Sequence, residues 1–336
     1  MRKIFFIFMG LWLAVATVFA QNESQNAESE EEDVINVIAY FAKNDTMRYR
    51  STEIEEKIVD GDTTVVHNIV EDFMLVVTDS TSEGYRLEMS MLDHAIEEGN
   101  DFASMVAEPL WELTKDVKCT FTIDEMGSIQ HIENWREIRD VLQKGITLVF
   151  DSLYGKAPGL DSIMPRRQTE SLMMMQFATE AGILQSYSEL LLLFGMHGKA
   201  FEMGENTISS TSEAGYPTET WINAGYTKQK DEYDLEDDYG IIASTTTTIP
   251  ADDAIQIAKN AMGIVLSDQA NASMDEQGVM EEIRKQMADE MTSRMDEIYS
   301  YFFNGWPKDC YQLQTIRMGI QEKRTMKEVE WLSRKW

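Results

Sequence analysis

Cysteine and proline are scarce in this sequence, and the motifs that mark common enzyme families are missing. The 336 residues include two cysteines and six prolines. The four histidines are scattered without the H-E-x-x-H spacing of zinc enzymes, and no G-x-S-x-G, Walker or C-x-x-C motif occurs. We therefore predict a protein that is not an enzyme and that binds neither a metal ion nor a cofactor.

Basic residues are also in the minority. Lysine and arginine number 29 against 59 aspartates and glutamates, which gives a formal net charge of −30. Such a surface repels phosphate backbones, so we predict no nucleic-acid partner. The acidic run from Asp231 to Asp238 does not fit a calcium loop, because Tyr239 and Thr245 stand where an EF-hand requires glycine and glutamate.

After the N-terminal segment, no apolar run reaches the ~20 residues that a membrane-spanning helix requires. At the N-terminus, Arg2 and Lys3 precede an apolar run and then the small residue Ala20. This pattern is typical of a cleaved signal peptide. It predicts a signal peptide over residues 1–20 with cleavage after Ala20, a disordered acidic leader over 21–33, and a periplasmic or secreted protein without a transmembrane segment.

The two cysteines, Cys119 and Cys310, are far apart in the sequence. In an oxidising compartment such a pair is a candidate for one long-loop disulfide. Two buried free thiols are the alternative, since free cysteine is among the most buried residue types. We keep Cys119–Cys310 as the candidate bridge, with the free thiols as the other interpretation.

Alternating apolar and polar residues predict long strands, and Asp60-Gly61-Asp62 predicts a hairpin turn between the first two. The predicted strands include Thr46–Val59, Thr63–Val77, Thr218–Gln229, Tyr239–Ile249, Tyr311–Ile320 and Thr325–Leu332. Helical spacing predicts helices at Trp135–Tyr154, Pro250–Ser267 and Met274–Phe303.

This order of strands and segregated helices indicates an α+β fold. We predict a long curved antiparallel sheet, similar to a half-barrel, with apolar helices packed on its concave face. The sequence is interpreted as one large domain over 34–336, with 34–200 and 201–336 as a possible pair of diverged strand–helix halves.

The stretch from Ile163 to Gly198 has apolar residues on every side of a helical wheel, which predicts a buried position. It includes three consecutive methionines, whose flexible thioethers suit a pocket for irregular apolar ligands but also fill gaps in ordinary cores. The candidate ligand-binding residues are Met173, Met174, Met175, Phe177, Leu190 and Phe194.

Two functions follow from this stretch. If it lines a cavity, the protein is a carrier or chaperone that binds a lipid, an acyl chain or an apolar peptide. If it is an ordinary dry core, the protein is a non-catalytic envelope scaffold that acts through contacts with an envelope protein partner.

Four places carry a resemblance to a known family: Lys43–Tyr49, Ile123–Gly127 followed by Ile132–Trp135, Pro158–Pro165 and Asn304–Pro307. With these segments, the chain resembles a family of secreted and periplasmic proteins of Bacteroidota that has no assigned activity. At the level of fold, its strand–helix order is similar to the LolA-like and LppX-like half-barrels. Those proteins hold lipid or acyl chains between a curved sheet and covering helices, so the resemblance implies a ligand site in that place.

Overall fold

A computed structural model describes residues 34–99, 109–156, 159, 161, 165–212, 214–226, 238–256 and 290–335. The predicted signal peptide (1–20) and acidic leader (21–33) lie outside the described residues. So do residues 231–237 of the acidic run, and residues 257–289, which hold most of the two helices predicted after Pro250.

The described ranges contain thirteen strands in two antiparallel sheets. The strands are β1 (Val34–Asn36), β2 (Thr46–Val59), β3 (Asp62–Thr81), β4 (Gly84–Gly99), β5 (Cys119–Asp124), β6 (Ile129–Ile132), β7 (Ala200–Glu202), β8 (Gly204–Thr211), β9 (Pro217–Tyr226), β10 (Tyr239–Ile249), β11 (Met291–Tyr301), β12 (Pro307–Met318) and β13 (Gln321–Lys335). Strands β1 and β7 form a small sheet of their own. The other eleven form one long sheet in the order β6-β5-β4-β3-β2-β13-β12-β11-β10-β9-β8.

This architecture confirms the predicted α+β class and the long, half-barrel-like antiparallel sheet. Within each half of the sheet, consecutive strands are neighbours. The two halves join through the ladder between β2 and β13, which runs from Thr46↔Lys335 to Val59↔Gln321. The interpretation of the chain as two diverged halves stays a prediction.

The first hairpin has the predicted turn. Val59 pairs with Asp62, and the two residues between them, Asp60 and Gly61, have φ angles of 56° and 90°. Positive φ at both central residues is the type I′ geometry, whose twist matches that of the flanking strands. The predicted bounds of β2 and β10 are confirmed.

The stretch predicted as a buried helical region contains three short helices. They follow the long helix α1 (Trp135–Lys156) and are α2 (Arg166–Gln176), α3 (Glu180–Ser186) and α4 (Ser188–Phe194). The Thr179 side chain accepts a hydrogen bond from Gly182 N and so starts α3. A Cβ on Gly182 would stand 1.8 Å from the carbonyl oxygen of Gln176, so glycine permits α3 to begin this close to the end of α2.

Burial differs along this stretch, and the prediction that all of it is buried is wrong for α2. Helix α2 packs on α1 and has no buried residue, and Met175 is 70% exposed. Helix α4 packs against β12 and β13 and buries Leu190 and Phe194. Helix α4 (SELLLLF) is more uniformly apolar than α2 (RRQTESLMMMQ) and packs on the sheet, whereas α2 packs on α1.

The helix predicted from Met274 to Phe303 is wrong over Met291–Tyr301, which forms β11 between β10 and β12. Met291, Met295 and Ile298 have helical spacing, but Met291, Ser293 and Met295 also fit an alternating strand pattern. Pairing on both sides satisfies the backbone of this segment, and this long-range pairing outweighs local helical preference.

One end of the large sheet is covered by the segment 37–42 and by the loop before β12. Trp306 in this loop is fully buried and stacks on Phe41 with ring centroids 3.9 Å apart. Its Nε1 donates a long hydrogen bond of 3.5 Å to Asp45. Gly305 has a φ of 79°, and a Cβ there would lie 2.0 Å from the carbonyl oxygen of Ile38. Glycine is therefore required for this close packing.

The candidate disulfide between Cys119 and Cys310 is wrong: both residues are buried free thiols. Cys119 lies on β5 and Cys310 on β12, with β4, β3, β2 and β13 between them in the sheet. A disulfide requires Cα atoms within about 7 Å, which corresponds to directly neighbouring strands. The sequence did not reveal the strand order, and the strand order separates the thiols.

We expect thiol reagents to count two free thiols in the denatured, unreduced protein and to react slowly with the native protein. Burial raises the pKa of Cys119 to about 12 and raises that of Cys310, so neither forms the reactive thiolate at neutral pH. The measurement is thiol titration with and without denaturant, with the Cys119→Ser and Cys310→Ser variants identifying each thiol. A count of zero after denaturation would contradict the strand order given above.

Candidate functional site

The large sheet has an inner face, which we define as the face that carries Met47, Tyr49, Phe73 and Leu75. These four residues are fully buried. Further along the same strands the alternation continues, but the inward residues become polar. Ser51 and Glu53 continue the inward series of β2, and Glu71 continues that of β3 in the other direction. A polar zone therefore adjoins the apolar core on the covered face of the sheet.

Lys327 is the centre of this zone. It lies on β13 opposite Glu53 of β2, and its side chain is 9% exposed. The ammonium group lies 2.7 Å from a Glu53 oxygen and 2.9 Å from a Glu189 oxygen, and it also donates to the Ser188 hydroxyl. Because Ser188 and Glu189 begin α4, one lysine attaches that helix to two strands of the sheet.

The charges of Lys327 and Glu53 are fixed over the neutral pH range. Burial tends to lower the pKa of Lys327, but the neighbouring Glu189 and Glu53 carboxylates outweigh it and raise that pKa. Burial also tends to raise the pKa of Glu53, but Lys327 and His67 outweigh it and lower that pKa well below its usual range. His67 Nε2 lies 3.0 Å from Glu53. Groups that keep their charges suit electrostatic binding and not proton transfer.

Glu71 and His94 form a hydrogen-bonded pair beside the Lys327 network. The two residues are directly opposite on β3 and β4, and His94 Nδ1 lies 3.0 Å from a Glu71 oxygen. The His94 ring stacks on Trp111 of the helical residues 109–114, with centroids 5.0 Å apart and an interplanar angle of 17°. The ring is therefore held by a carboxylate at its edge and by an indole on its face.

His94 Nε2 is buried and has no hydrogen-bond partner among the described residues. An ionised carboxylate only accepts hydrogen bonds, so a single ring proton lies on Nδ1 and faces Glu71. Nε2 then carries a lone pair that meets no donor in the part of the chain that the structure describes. A buried acceptor left without a donor costs about 1–3 kcal/mol, which a suitable ligand would recover.

The carboxylates described above and His94 line a cavity of about 280 Å³ between the sheet and the helical segments. One part of its wall is polar and the other is apolar. The polar lining is Ser51, Glu53, Glu71, His94, Thr114, Ser186 and Glu189, and the apolar lining is Ile69, Leu110 and Trp111. The volume is close to the lower end of the range for small-molecule sites.

None of the six residues predicted to bind a ligand lines this cavity. Leu190 and Phe194 belong to the dry core, and Phe177 packs against that core from a half-buried position. Met173 and Met174 are half-buried on α2, whereas Met175 points into solvent. The prediction that these six residues bind a ligand is not tested by the structure, but the cavity lies elsewhere.

Two other properties of the described residues bear on this site. No group of three or more histidine, cysteine, aspartate or glutamate side chains among them has an arrangement that could hold a metal ion. In the same part of the chain, no helix combines the length and apolar character needed to cross a bilayer.

The chain has a distant structural similarity to a solved structure. No protein-family model and no curated protein match this chain. A solved structure that describes lipid–protein interactions in lipovitellin aligns with 88% of this chain and 26% of its own, with 8% sequence identity and a TM-score of 0.39. At that level of similarity the likeness does not bear on the function of this chain.

Proposed function

We propose that this protein is an exported carrier that binds a small amphiphilic ligand in the cavity between its sheet and its helical segments. The observation that carries the proposal is the mixed lining of this cavity, with carboxylates and an imidazole on one part and Ile69, Leu110 and Trp111 on another. Export is supported by the N-terminal sequence, in which Arg2 and Lys3 precede an apolar run and a small-residue cleavage position.

The polar groups of the lining favour a different ligand from the purely apolar one that the sequence predicts. A purely apolar chain would leave the Glu53, Glu71 and Glu189 carboxylates without solvent or partners on the cavity side, and burying charges in this way is costly. A ligand with one polar and one apolar part matches both parts of the wall. The proposal therefore keeps the carrier function and the sheet–helix location, and it replaces the apolar ligand with an amphiphile.

We expect the protein to carry a bound small molecule when it is released from its own cells without detergent. Native mass spectrometry of the mature protein should show a discrete added mass that denaturation removes. Ser186→Trp, which places an indole at the edge of the cavity, should lose the added mass. Ser152→Trp on the exposed side of α1 is the matched control and should retain it.

If the protein released in this way never carries an added mass and binds no amphiphile in titration, the carrier proposal fails. The scaffold function would then take its place. A specific observation supports that second candidate: α2 presents Leu172 and Met175 to solvent, and such exposed apolar side chains are suited to contact with a protein partner.

A further inference from the structure

The cavity carries an unbalanced negative charge. Three carboxylates line it, those of Glu53, Glu71 and Glu189, and one lysine, Lys327, pairs with two of them. Glu71 instead pairs with the imidazole of His94. The carboxylates and the lysine of this cluster together hold three negative charges and one positive charge. Such a site attracts a cation and repels a carboxylate or a phosphate.

The hydrogen-bonding groups of the cavity lead to the same class of ligand. The carboxylates only accept hydrogen bonds, and His94 Nε2 is a buried acceptor without a donor among the described residues. The His94 side chain is 8% exposed, so bulk water does not readily supply that donor. A ligand that brings several N–H groups would satisfy the imidazole and the carboxylates together.

The apolar part of the wall restricts the ligand further. Trp111 is fixed by its stacking on His94, and Leu110 and Ile69 lie on the same lining. A bare inorganic cation would leave this surface unused, whereas a short hydrocarbon tail would cover it. The small volume of the cavity favours a short tail over a complete lipid.

We propose that the cavity binds a protonated amine with a short apolar tail, with the ammonium group donating to His94 Nε2 and the tail against Trp111. This inference rests on the proposed carrier function and names the chemical class of its ligand. Glu71 has two roles, since it accepts a hydrogen bond from His94 Nδ1, which leaves Nε2 as the acceptor, and it adds to the negative charge of the cavity.

The test compares three probes with the same six-carbon tail: hexylammonium, hexanol and hexanoate. Isothermal titration of the mature protein at neutral pH should show hexylammonium binding at least about tenfold more tightly than hexanol, since hydrogen bonds to charged groups are stronger than neutral ones. Hexanoate should not bind measurably. Glu71→Gln should weaken hexylammonium binding by about tenfold or more and should reduce the difference from hexanol.

Glu98→Gln is the matched control, because it removes one carboxylate from the same hairpin at an exposed position outside the cavity. It should bind hexylammonium as the wild type does. Since the wild-type probe series needs no variant, a failure of Glu71→Gln to fold does not decide the result.

The outcomes separate the two proposals. If hexanol or hexanoate binds as well as hexylammonium, the amine assignment is overturned while ligand binding stands. If hexylammonium binds preferentially but Glu71→Gln has no more effect than Glu98→Gln, the location at the Glu71–His94 pair is overturned. If none of the three probes binds and no cell-derived ligand is found, both proposals fail.

Discussion

Replacing Lys327 with methionine should lower the free energy of unfolding by about 3–5 kcal/mol at neutral pH. The lysine is almost fully buried between Glu53 and Glu189, and methionine of similar length leaves both carboxylates in place without their cation. The loss comes mainly from these uncompensated charges, since the apolar stem is retained. Urea denaturation of the wild type and the variant measures it.

The matched control is Lys43→Met. The Lys43–Asp79 ion pair has a similar distance of 3.2 Å, but both side chains are more than half exposed, and exposed pairs contribute about 0–1 kcal/mol. A second comparison adds Glu53→Gln and Glu189→Gln to Lys327→Met. The triple variant should recover much of the lost stability, because it no longer buries unpaired charges.

The pH dependence of the free energy of unfolding tests the Lys327–Glu53 ion pair independently. The pKa of Glu53 is lowered in the folded protein, so its ion pair contributes stability above the ordinary glutamate pKa of about 4.3 and loses it as the pH falls below that value. The difference between wild type and Lys327→Met should therefore be full at pH 7 and should shrink as the solution is acidified to below about pH 4. The loss of stability in Lys327→Met could instead stay constant with pH, or be no larger than the loss in Lys43→Met. Either result would show that Lys327 does not join α4 to the sheet as described.

Trp306→Ala should lower the free energy of unfolding by about 3–5 kcal/mol, through lost burial and the cavity that remains. Trp306 is fully buried and stacks on Phe41, and neighbouring Gly305 is already in tight contact with the backbone of Ile38. This packing limits how far the surroundings can collapse into the space left by the indole. Thermal or urea denaturation provides the measurement.

Phe303→Ala is the matched control, because it removes another aromatic ring from the same loop at a position that is 48% exposed. It should cost less than about 1 kcal/mol. Trp306→Phe should lie between the two, since it retains an aromatic ring to stack on Phe41. Equal losses for Trp306→Ala and Phe303→Ala would indicate that the loop before β12 is not packed on the segment 37–42.

The local parts of the fold were predictable from the sequence. β2, its turn at Asp60–Gly61 and β10 were assigned with correct bounds, because alternation and turn chemistry are properties of neighbouring residues. The misassigned β11 shows the limit of such patterns, since its methionines fit both a helical and an alternating spacing. The position of Cys119 relative to Cys310 depended on strand order, which local patterns do not contain.

The candidate site was missed because its parts come from distant segments. Lys327 meets Glu189 across 138 residues of sequence, and no spacing rule connects them. One signal was nevertheless present. In β2, the inward series that begins with Met47 and Tyr49 continues with Ser51 and Glu53, so a charged residue falls on the face that should be buried. The apolar stretch Ile163–Gly198 instead predicted a ligand site at its methionines, and those methionines lie outside the cavity.

The pairing of β13 with β2 also has a consequence for the order in which the chain can fold. The strands β2 to β6 and β8 to β12 pair with sequence neighbours, so each group can form through rapid, local hairpin closure. The ladder that joins them requires β13, which follows every other strand in the sequence. Until β13 has emerged during synthesis, β2 and β12 both present open strand edges, the state in which β-proteins are most exposed to wrong pairing. The same ladder carries Lys327, so the ion pairs that hold Glu53 and Glu189 beside the cavity form only in this final step.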